Sequence, residues 1–399
     1  MNNVTIQTSI ILFTFSSKCK LVLKSTLKEY VFEFENQLEL KTSTISVGSY
    51  QIFINGSIQA DTLLILPYTH DVSRHKAELT TAVAGADFIK TSVSVVIPTY
   101  NAGDFFETVL TSIENQSISP EIVIVDSGST DTTIPIIKAH KKKNKNIHLY
   151  CIEKKDFHHG RTRNFGISKT KGEYVALLTQ DSLPFDSYWL QNLVKPMIED
   201  SEIAGTFGPH LPYENTQIVE QLRILQKFDK IERRAKLVSE KIFGPIDDLP
   251  EQQRLLLIEY YSNSCCIRKS VWNKLPYPDV PWAEDRAWSQ LIIKEGYKKY
   301  YAQDSIIYHS HYHNYRAYYK RWYESTYKIC FTDITTHFRY RKLIYIFKTI
   351  AMALFLVVRT KYSFFRKIVI FTDEVIRIII KYAAGRKALK DYRNTSKTG

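Results

Sequence analysis

Two acidic side chains stand at the ends of strand-like segments, where they could take part in binding or catalysis. Asp126 ends the apolar segment "EIVIVD", and Asp181 follows "YVALLTQ", after which Pro184 prevents a central strand from continuing. A carboxylate in such a place can close a turn or cap a helix. It can also bind a metal ion or a polar ligand at the carboxyl ends of the strands of an α/β sheet. The sequence alone leaves both interpretations open.

A second acidic group, Glu284 and Asp285, precedes a predicted helix. A proline-rich loop at 276–281 leads into it, and apolar residues then recur at helical spacing in "AWSQLII". Acidic residues are favoured in the first turn of a helix by the helix dipole, so the pair could be purely structural. The chemical alternative is a general base, which removes the proton from an attacking hydroxyl group.

Together these residues meet the needs of sugar transfer from a nucleotide diphosphate. Asp126 could accept the N3–H of a pyrimidine, and Asp181 could hold a divalent cation on the diphosphate. Arg163 could neutralise the charge of the leaving group, and Asp285 could deprotonate the acceptor. The combination is more specific than any of its members.

Two histidines in "IIYHSHYH", His309 and His311, follow the last predicted strand and lie two residues apart, on one face. Histidines in such a position can be solvated, or satisfied within a core. They can also supply a second metal ligand or a diphosphate contact, since imidazole binds divalent metals. For that role the sequence favours His309 over His311.

The elements that position these residues alternate between strand and helix. Strands are predicted at 92–98, 121–126, 147–152 and 174–179, with helices near 105–115, 131–143 and 162–170 between them. Such βαβ alternation predicts a mostly parallel sheet whose strands end at one edge. The chain has neither GxGxxG after its first such strand nor GxxxxGK[ST], so the dinucleotide fingerprint and the P-loop are both absent.

Several of these segments resemble the family 2 inverting glycosyltransferases, which have the GT-A fold. They are "SVVIPTYNAGDFFETVLTSIENQ", "EIVIVDSGSTDTT", "RTRNFGI" and the downstream "ED". "DFHHGRTRNFGI" and "LLTQDSLPFDSYWL" are similar to the bacterial rhamnosyltransferase branch. The resemblance extends over about 92–311 and implies a Rossmann-like α/β domain with a mostly parallel sheet.

The resemblance also implies a role for individual residues. Asp285 matches the catalytic base, and Asp181 matches the last aspartate of the metal motif, where Thr179 and Gln180 replace the acidic residues expected before it. His159 and Gly160 would shape a turn beside the donor. The predicted nucleotide-sugar contacts are Pro98, Tyr100, Asp126, Arg163, Gln180, Trp282 and Glu284. Trp282 could stack on a sugar or belong to the core.

Composition divides the 399 residues further. Residues 1–90 alternate polar and apolar residues, with Asn55–Gly56 as a hairpin signal, and predict a β-rich accessory domain. The GT-A domain is predicted at 91–313 and a basic helical region at 314–399. Five cysteines without CxxC spacing argue against a disulfide framework or a zinc site and suit a reducing cytoplasm.

The C-terminal region carries the positive charge of the chain. From Tyr312 onward lie 19 of the 54 Lys and Arg residues but only 5 of the 41 Asp and Glu residues. Basic residues there interrupt the apolar runs at 343–358 and 364–382, which is typical of a helix on an anionic membrane surface. Neither run is long enough for a transmembrane span. A helical bundle with a solvated basic face is the alternative, and nucleic-acid binding is disfavoured.

The sequence therefore predicts an inverting glycosyltransferase that uses Mg²⁺ or Mn²⁺. The expected donor is dTDP-L-rhamnose, with another nucleotide sugar as the alternative, and the acceptor a glycan or a lipid-linked glycan in bacterial surface polysaccharide synthesis. The expected location is cytoplasmic, peripheral on the inner face of the cell membrane. The rival hypothesis is a membrane-associated glycan-binding or scaffolding protein with a degenerate transferase domain. The oligomeric state is left open.

Overall fold

The structure, a computed structural model, describes residues 91–332, 344–358, 360 and 362–398, and the backbone of seven strands between Val4 and Ile65. The chain divides into two compact units. One comprises residues 1–85, 214–222 and 351–374, and the other comprises residues 86–213, 223–350 and 375–399.

The first unit contains the N-terminal strands, which are β1 (Val4–Gln7), β2 (Ile10–Thr14), β3 (Cys19–Lys24), β4 (Glu29–Phe34), β5 (Gln37–Lys41), β6 (Gly48–Ile54) and β7 (Ser57–Ile65). They form two antiparallel sheets, in the orders β1-β2-β5 and β4-β3-β6-β7. Ile54 pairs with Ser57, although the intervening turn residues, Asn55 and Gly56, lie outside the described part. The strands agree with the β-rich character predicted for this region, and the predicted domain boundaries stay predictions.

The second unit contains all remaining strands, which are β8 (Val93–Thr99), β9 (Glu121–Asp126), β10 (Ile147–Cys151), β11 (Tyr174–Leu178), β12 (Leu183–Pro184), β13 (Ile203–Phe207), β14 (His210–Leu211), β15 (Leu237–Val238), β16 (Ser264–Arg268), β17 (Lys298–Tyr301) and β18 (Ile307–Tyr308). Eight of them form one sheet in the order β10-β9-β8-β11-β16-β13-β17-β15. The pairs among β10, β9, β8 and β11 are parallel, as is β13 with β17, whereas β16 is antiparallel to both neighbours. The predicted α/β fold with a mostly parallel sheet is confirmed.

Helices connect these strands and continue to the C-terminus. They are α1 (Phe105–Glu114), α2 (Thr133–Lys143), α3 (His159–Ser168), α4 (Trp189–Glu199), α5 (Ile218–Ala235), α6 (Glu240–Phe243), α7 (Glu251–Leu257), α8 (Lys269–Trp272), α9 (Glu284–Lys294), α10 (Tyr315–Ile329), α11 (Ile344–Val358) and α12 (Phe364–Thr398). The predicted apolar run at 364–382 is helical, and so is the described part of the run at 343–358. In the described part of the chain no helix is long and apolar enough to cross a membrane.

The central strands are apolar on both faces because each face is covered. Val95 and Ile97 of β8 belong to one buried cluster with Phe106 of α1, while Val96 between them belongs to another with Trp288 of α9. Alternate residues of a strand point to opposite faces, so a doubly covered strand is apolar along most of its length. This explains the short apolar runs by which the strands were predicted.

A small second sheet, in the order β12-β18-β14, lies beyond the end of β11. In it Leu183 pairs with Tyr308 in antiparallel register, and His210 pairs with Ile307 in parallel register. This pairing brings together Asp181, two residues before β12, and His309, directly after β18, which are far apart in sequence.

Candidate active site

Asp126 closes the loop that follows β9. One carboxylate oxygen accepts the backbone N–H groups of Gly128 and Ser129 at 3.0 and 2.8 Å, and the other accepts the hydroxyl groups of Ser129 and, at 2.9 Å, of Thr99. The side chain is buried at the edge of the sheet. The turn-closing role is therefore observed directly, and contact with a pyrimidine stays a prediction.

Tyr100 and Gln180 fasten the end of β8 to the end of β11. The backbone N–H of Tyr100 donates to Gln180 Oε1 at 2.7 Å, and Gln180 Nε2 donates back to the Tyr100 carbonyl at 3.1 Å. An acidic residue at position 180 could not make the second bond, which explains the amide in physical terms. The Tyr100 hydroxyl accepts Lys154 Nζ at 2.7 Å. Pro98, one residue before the end of β8, is partly buried beside Val125.

Asp181 meets both predicted histidines. Its two carboxylate oxygens lie 3.6 Å from His309 Nε2 and 3.6 Å from His311 Nδ1. The three ligand atoms lie within 4.8 Å of one another. Ligands on one ion at bond lengths near 2.1 Å are roughly 3–4 Å apart, so this set fits a divalent cation after a small closure. The structure places His311 as close to Asp181 as His309.

Burial favours the neutral, metal-binding form of both histidines. It lowers the pKa of His309 to about 4, against the opposing effect of Asp181, and it also lowers the pKa of His311. Both rings are therefore neutral at neutral pH, which is the form that binds metals. The Tyr213 hydroxyl donates to the Asp181 backbone carbonyl at 3.0 Å and helps to fix the loop.

Arg163 and Glu284 form a buried ion pair between α3 and the start of α9. Arg163 Nη1 donates to Glu284 Oε1 at 2.7 Å and to the His159 carbonyl at 3.1 Å, and both charged side chains are at most 8% exposed. His159 and Gly160 begin α3 rather than forming the expected turn. A Cβ atom at position 160 would lie 2.9 Å from the Pro278 carbonyl oxygen, so the close approach needs glycine.

Asp285 begins α9 beside this pair. Burial, reinforced by the negative charge of Glu284, raises its pKa to about 7. Its carboxylate accepts the backbone N–H of Arg286 at 2.8 Å and that of Ser262 at 3.3 Å. Ala283, just before the helix, has the left-handed φ of 58°, an uncommon conformation for a residue with a side chain. A carboxylate that titrates near neutrality is suited to general base catalysis.

Trp282 forms an aromatic surface next to Asp285 in the sequence. Its ring contacts His159 edge-on at 5.5 Å between centroids, and Lys328 Nζ lies 5.4 Å from its centroid. The side chain is partly buried, so a core role alone does not describe it. Stacking on a sugar stays a prediction.

Several residues near the site were not singled out from the sequence. Lys154 contacts Tyr100, Thr99 contacts Asp126, and Asn263 Nδ2 lies 3.0 Å from His309 Nδ1. Arg286, the residue after Asp285, forms an ion pair with Glu259, with 2.6 Å between Arg286 Nη2 and Glu259 Oε1. The charged cluster "EDR" at 284–286 is the one local feature that could have pointed to Arg286. The other contacts join residues that are far apart in sequence, so no short motif indicates them.

The sequence of this chain is similar to those of known glycosyltransferases. The model of the family described as "Glycosyl transferase family 2" matches residues 94–260. The chain is 31% identical over 239 residues to the O-antigen chain rhamnosyltransferase RfbN of Salmonella typhimurium, covering 58% of this chain and 71% of the relative. It is 26% identical over 244 residues to the O-antigen chain rhamnosyltransferase WbaN of Salmonella anatum, covering 59% and 71%.

Among solved structures, the chain is similar to a mannosyltransferase from Pyrobaculum calidifontis in complex with GDP-Man and Mn²⁺. The two are 16% identical with a TM-score of 0.46, over 76% of this chain and 75% of the other.

Proposed function

This chain belongs to glycosyl transferase family 2, and from that premise we propose that it transfers L-rhamnose from dTDP-L-rhamnose to a glycan or a lipid-linked glycan. Two similar enzymes named for rhamnosyl transfer in O-antigen synthesis support this choice of donor and pathway class. The product would be a bacterial surface polysaccharide.

One observation carries the proposal. Two consecutive residues contact both the proposed base and the proposed metal site. The Ser262 backbone N–H donates to Asp285, and the Asn263 amide contacts His309. His309 in turn lies beside Asp181. A base with a pKa near 7 and a set of metal ligands are thereby joined through two adjacent residues. Sugar transfer from a nucleotide diphosphate can use both, a base for the acceptor hydroxyl and a cation for the departing diphosphate.

In the proposed reaction Asp285 accepts the proton of the acceptor hydroxyl as that oxygen bonds to the anomeric carbon. The bond from this carbon to the diphosphate oxygen breaks on the opposite face, so the configuration inverts. The buried Arg163–Glu284 pair fixes the start of α9 and keeps a negative charge beside Asp285, which helps to hold its pKa near neutrality. Trp282 offers a flat surface on which a sugar ring could stack.

Asp181, His309 and His311 would hold a divalent cation, whose role when bound is to stabilise the negative charge of the departing diphosphate. Mn²⁺ suits two imidazoles and one carboxylate better than Mg²⁺, which prefers oxygen ligands.

The test is a donor screen of the purified full-length protein. Each nucleotide sugar of a panel is offered with a bacterial lipid extract, and nucleotide diphosphate release is measured with Mn²⁺ and with EDTA. We expect release from dTDP-L-rhamnose that EDTA suppresses. Release from another donor alone would contradict the choice of sugar. Binding of glycans without release from any donor would favour the rival hypothesis of a degenerate transferase.

We propose further that the segment 351–374 attaches the enzyme to an anionic membrane surface. Within this segment, the C-terminal half of α11 and the start of α12 expose eight large apolar side chains. They are Met352, Leu354, Phe355, Val358, Phe364, Phe365, Ile368 and Val369. Phe364 and Phe365 are 72% and 80% exposed, and the exposed Arg366 follows directly. Apolar side chains at this density beside a basic one are typical of an interfacial helix. Attachment at the inner face of the cell membrane would give access to a lipid-linked acceptor.

Vesicle co-sedimentation tests the membrane proposal. Full-length protein should pellet with anionic vesicles but not with neutral ones, and the double variant Phe364→Ser, Phe365→Ser should lose most of this binding. Ile242→Ser, which also alters an exposed apolar residue, is the matched control and should behave as the unaltered protein. Equal recovery of all three proteins in the supernatant would leave the helical-bundle alternative.

A further inference from the structure

The partly buried side-chain amide of Asn263 lies next to the proposed metal site. Asn263 Nδ2 lies 3.0 Å from His309 Nδ1, and the Asn263 side chain also lies beside His210, whose ring centroid is 5.4 Å from that of His309. Within the part of the chain that the structure describes, two buried atoms here make no hydrogen bond of ordinary geometry, Asn263 Oδ1 and His210 Nε2, although the Asn263 side chain interacts with the His210 ring. His210 is 5% exposed. Unpaired buried polar atoms cost free energy, and they call for a physical explanation.

The direction of the Asn263–His309 hydrogen bond decides whether His309 can bind a metal. If the amide nitrogen donates, His309 Nδ1 is an acceptor and the single proton of the neutral ring lies on Nε2. Nε2 is the atom that faces Asp181 at 3.6 Å, so the proton would occupy the position of the ion. If the amide oxygen accepts instead, Nδ1 carries the proton and the Nε2 lone pair points toward Asp181.

We infer that Asn263 is a positioning residue that accepts the His309 Nδ1 proton through its amide oxygen, and so presents the Nε2 lone pair to the cation. A half-turn of the amide about its last bond produces this arrangement without moving any other atom. The Oδ1 atom then has a partner. The amide NH₂ group then occupies the former position of Oδ1, where it can donate to His210 Nε2. Metal-binding histidines are commonly oriented by such a carbonyl or carboxylate on the second ring nitrogen.

This inference rests on the proposed metal site, and the experiment separates the two. Mn²⁺ binding to the full-length protein with dTDP is measured by calorimetry for the unaltered protein and for Asp181→Ala, Asn263→Ala, Asn263→Asp and Asn192→Ala. Asn263→Ala should weaken Mn²⁺ binding about 10- to 100-fold, the usual effect of losing such a contact. Asn263→Asp keeps an acceptor but has no donor, so it should bind Mn²⁺ at least as well as the unaltered protein. Asn192→Ala removes a side-chain amide that donates to the Asp304 carbonyl, away from the site, and should change nothing.

The outcomes are distinguishable. If Asp181→Ala binds Mn²⁺ normally, the metal site itself is wrong. If Asp181→Ala loses binding while Asn263→Ala retains it, the metal site stands and the role of Asn263 is refuted. If Asn263→Asp binds more weakly than Asn263→Ala, the amide nitrogen is the donor, and the inferred direction of the hydrogen bond is wrong.

Discussion

Replacing Asp285 by Asn should abolish most of the activity and at the same time make the protein more stable. The amide has nearly the shape of the carboxyl group but cannot accept the acceptor's proton. Loss of a general base costs on the order of 10²- to 10⁴-fold in rate. Donor binding should be almost unchanged, because the base acts on the acceptor.

The gain in stability follows from the raised pKa of Asp285. Burial lifts it from 3.8 to about 7, so ionising this group costs more in the folded protein than in the unfolded chain. At about 1.36 kcal/mol for each pKa unit the full penalty is about 4 kcal/mol, and partial exposure of the side chain reduces it to about 2–4 kcal/mol. The penalty is absent below pH 4, grows as the pH rises toward 7 and is constant above that. Asn carries no charge and avoids it.

Two assays check this prediction. Nucleotide release is followed against pH: the unaltered enzyme should gain rate as the pH rises through about 7, because only the ionised carboxylate is a base. Thermal unfolding of Asp285→Asn should show a higher midpoint than the unaltered protein at pH 8 and nearly the same midpoint at pH 4. Asp279→Asn, in the loop that leads into α9, is the matched control. Its pair with Arg161 is exposed to solvent and contributes little to stability, so both the stability and the activity of Asp279→Asn should be nearly unchanged.

Two results would refute this reasoning. Full activity in Asp285→Asn would mean that the base lies elsewhere, with Glu284 the next candidate. Loss of activity without a gain in stability at pH 8 would mean that the carboxylate is not penalised by its surroundings.

Three further predictions concern neighbouring residues. Glu284→Gln should leave the buried Arg163 without its counter-charge and destabilise the protein by about 3–5 kcal/mol in denaturant unfolding, while shifting the pH–rate profile of any folded fraction to lower pH. Gly160→Ala should lower stability by about 1–3 kcal/mol because its Cβ would meet the Pro278 carbonyl at 2.9 Å, and normal stability would show that the helix can move away. Asp181→Ala should weaken dTDP binding in the presence of Mn²⁺ but not in EDTA, as measured by calorimetry; equal affinities in Mn²⁺ would indicate a metal-independent enzyme.

Much of the fold could be predicted because its signals are local. The strand 121–126 was predicted with the bounds that the structure has, and β8, β10 and β11 differ from prediction by at most one residue at either end. Doubly covered strands are apolar on most of their residues, and the turns that follow are polar, so a segment of a few residues is enough to predict the strand. The start of α3 was missed by three residues, because the sequence around Gly160 carries no capping residue that marks it.

The sequence by itself also determined which residues stand at the ends of these strands. Asp126 and Asp181 follow apolar runs, and the order of the chain alone places them at the edge of a parallel sheet. What it could not determine is their partners. Periodicity and propensity act over a few residues, whereas Asp181 meets His309 only because β12 and β18 pair in one register.

The tertiary structure alone decided the electrostatics of the site. Arg163 is 121 residues from Glu284 in sequence, and their pairing depends on α3 and α9 covering the same face of the sheet. The pKa of Asp285 depends on how deeply that packing buries it and on the charge of its neighbour. Desolvation and Coulomb interactions are set by distances in space, and no spacing along the chain encodes those distances.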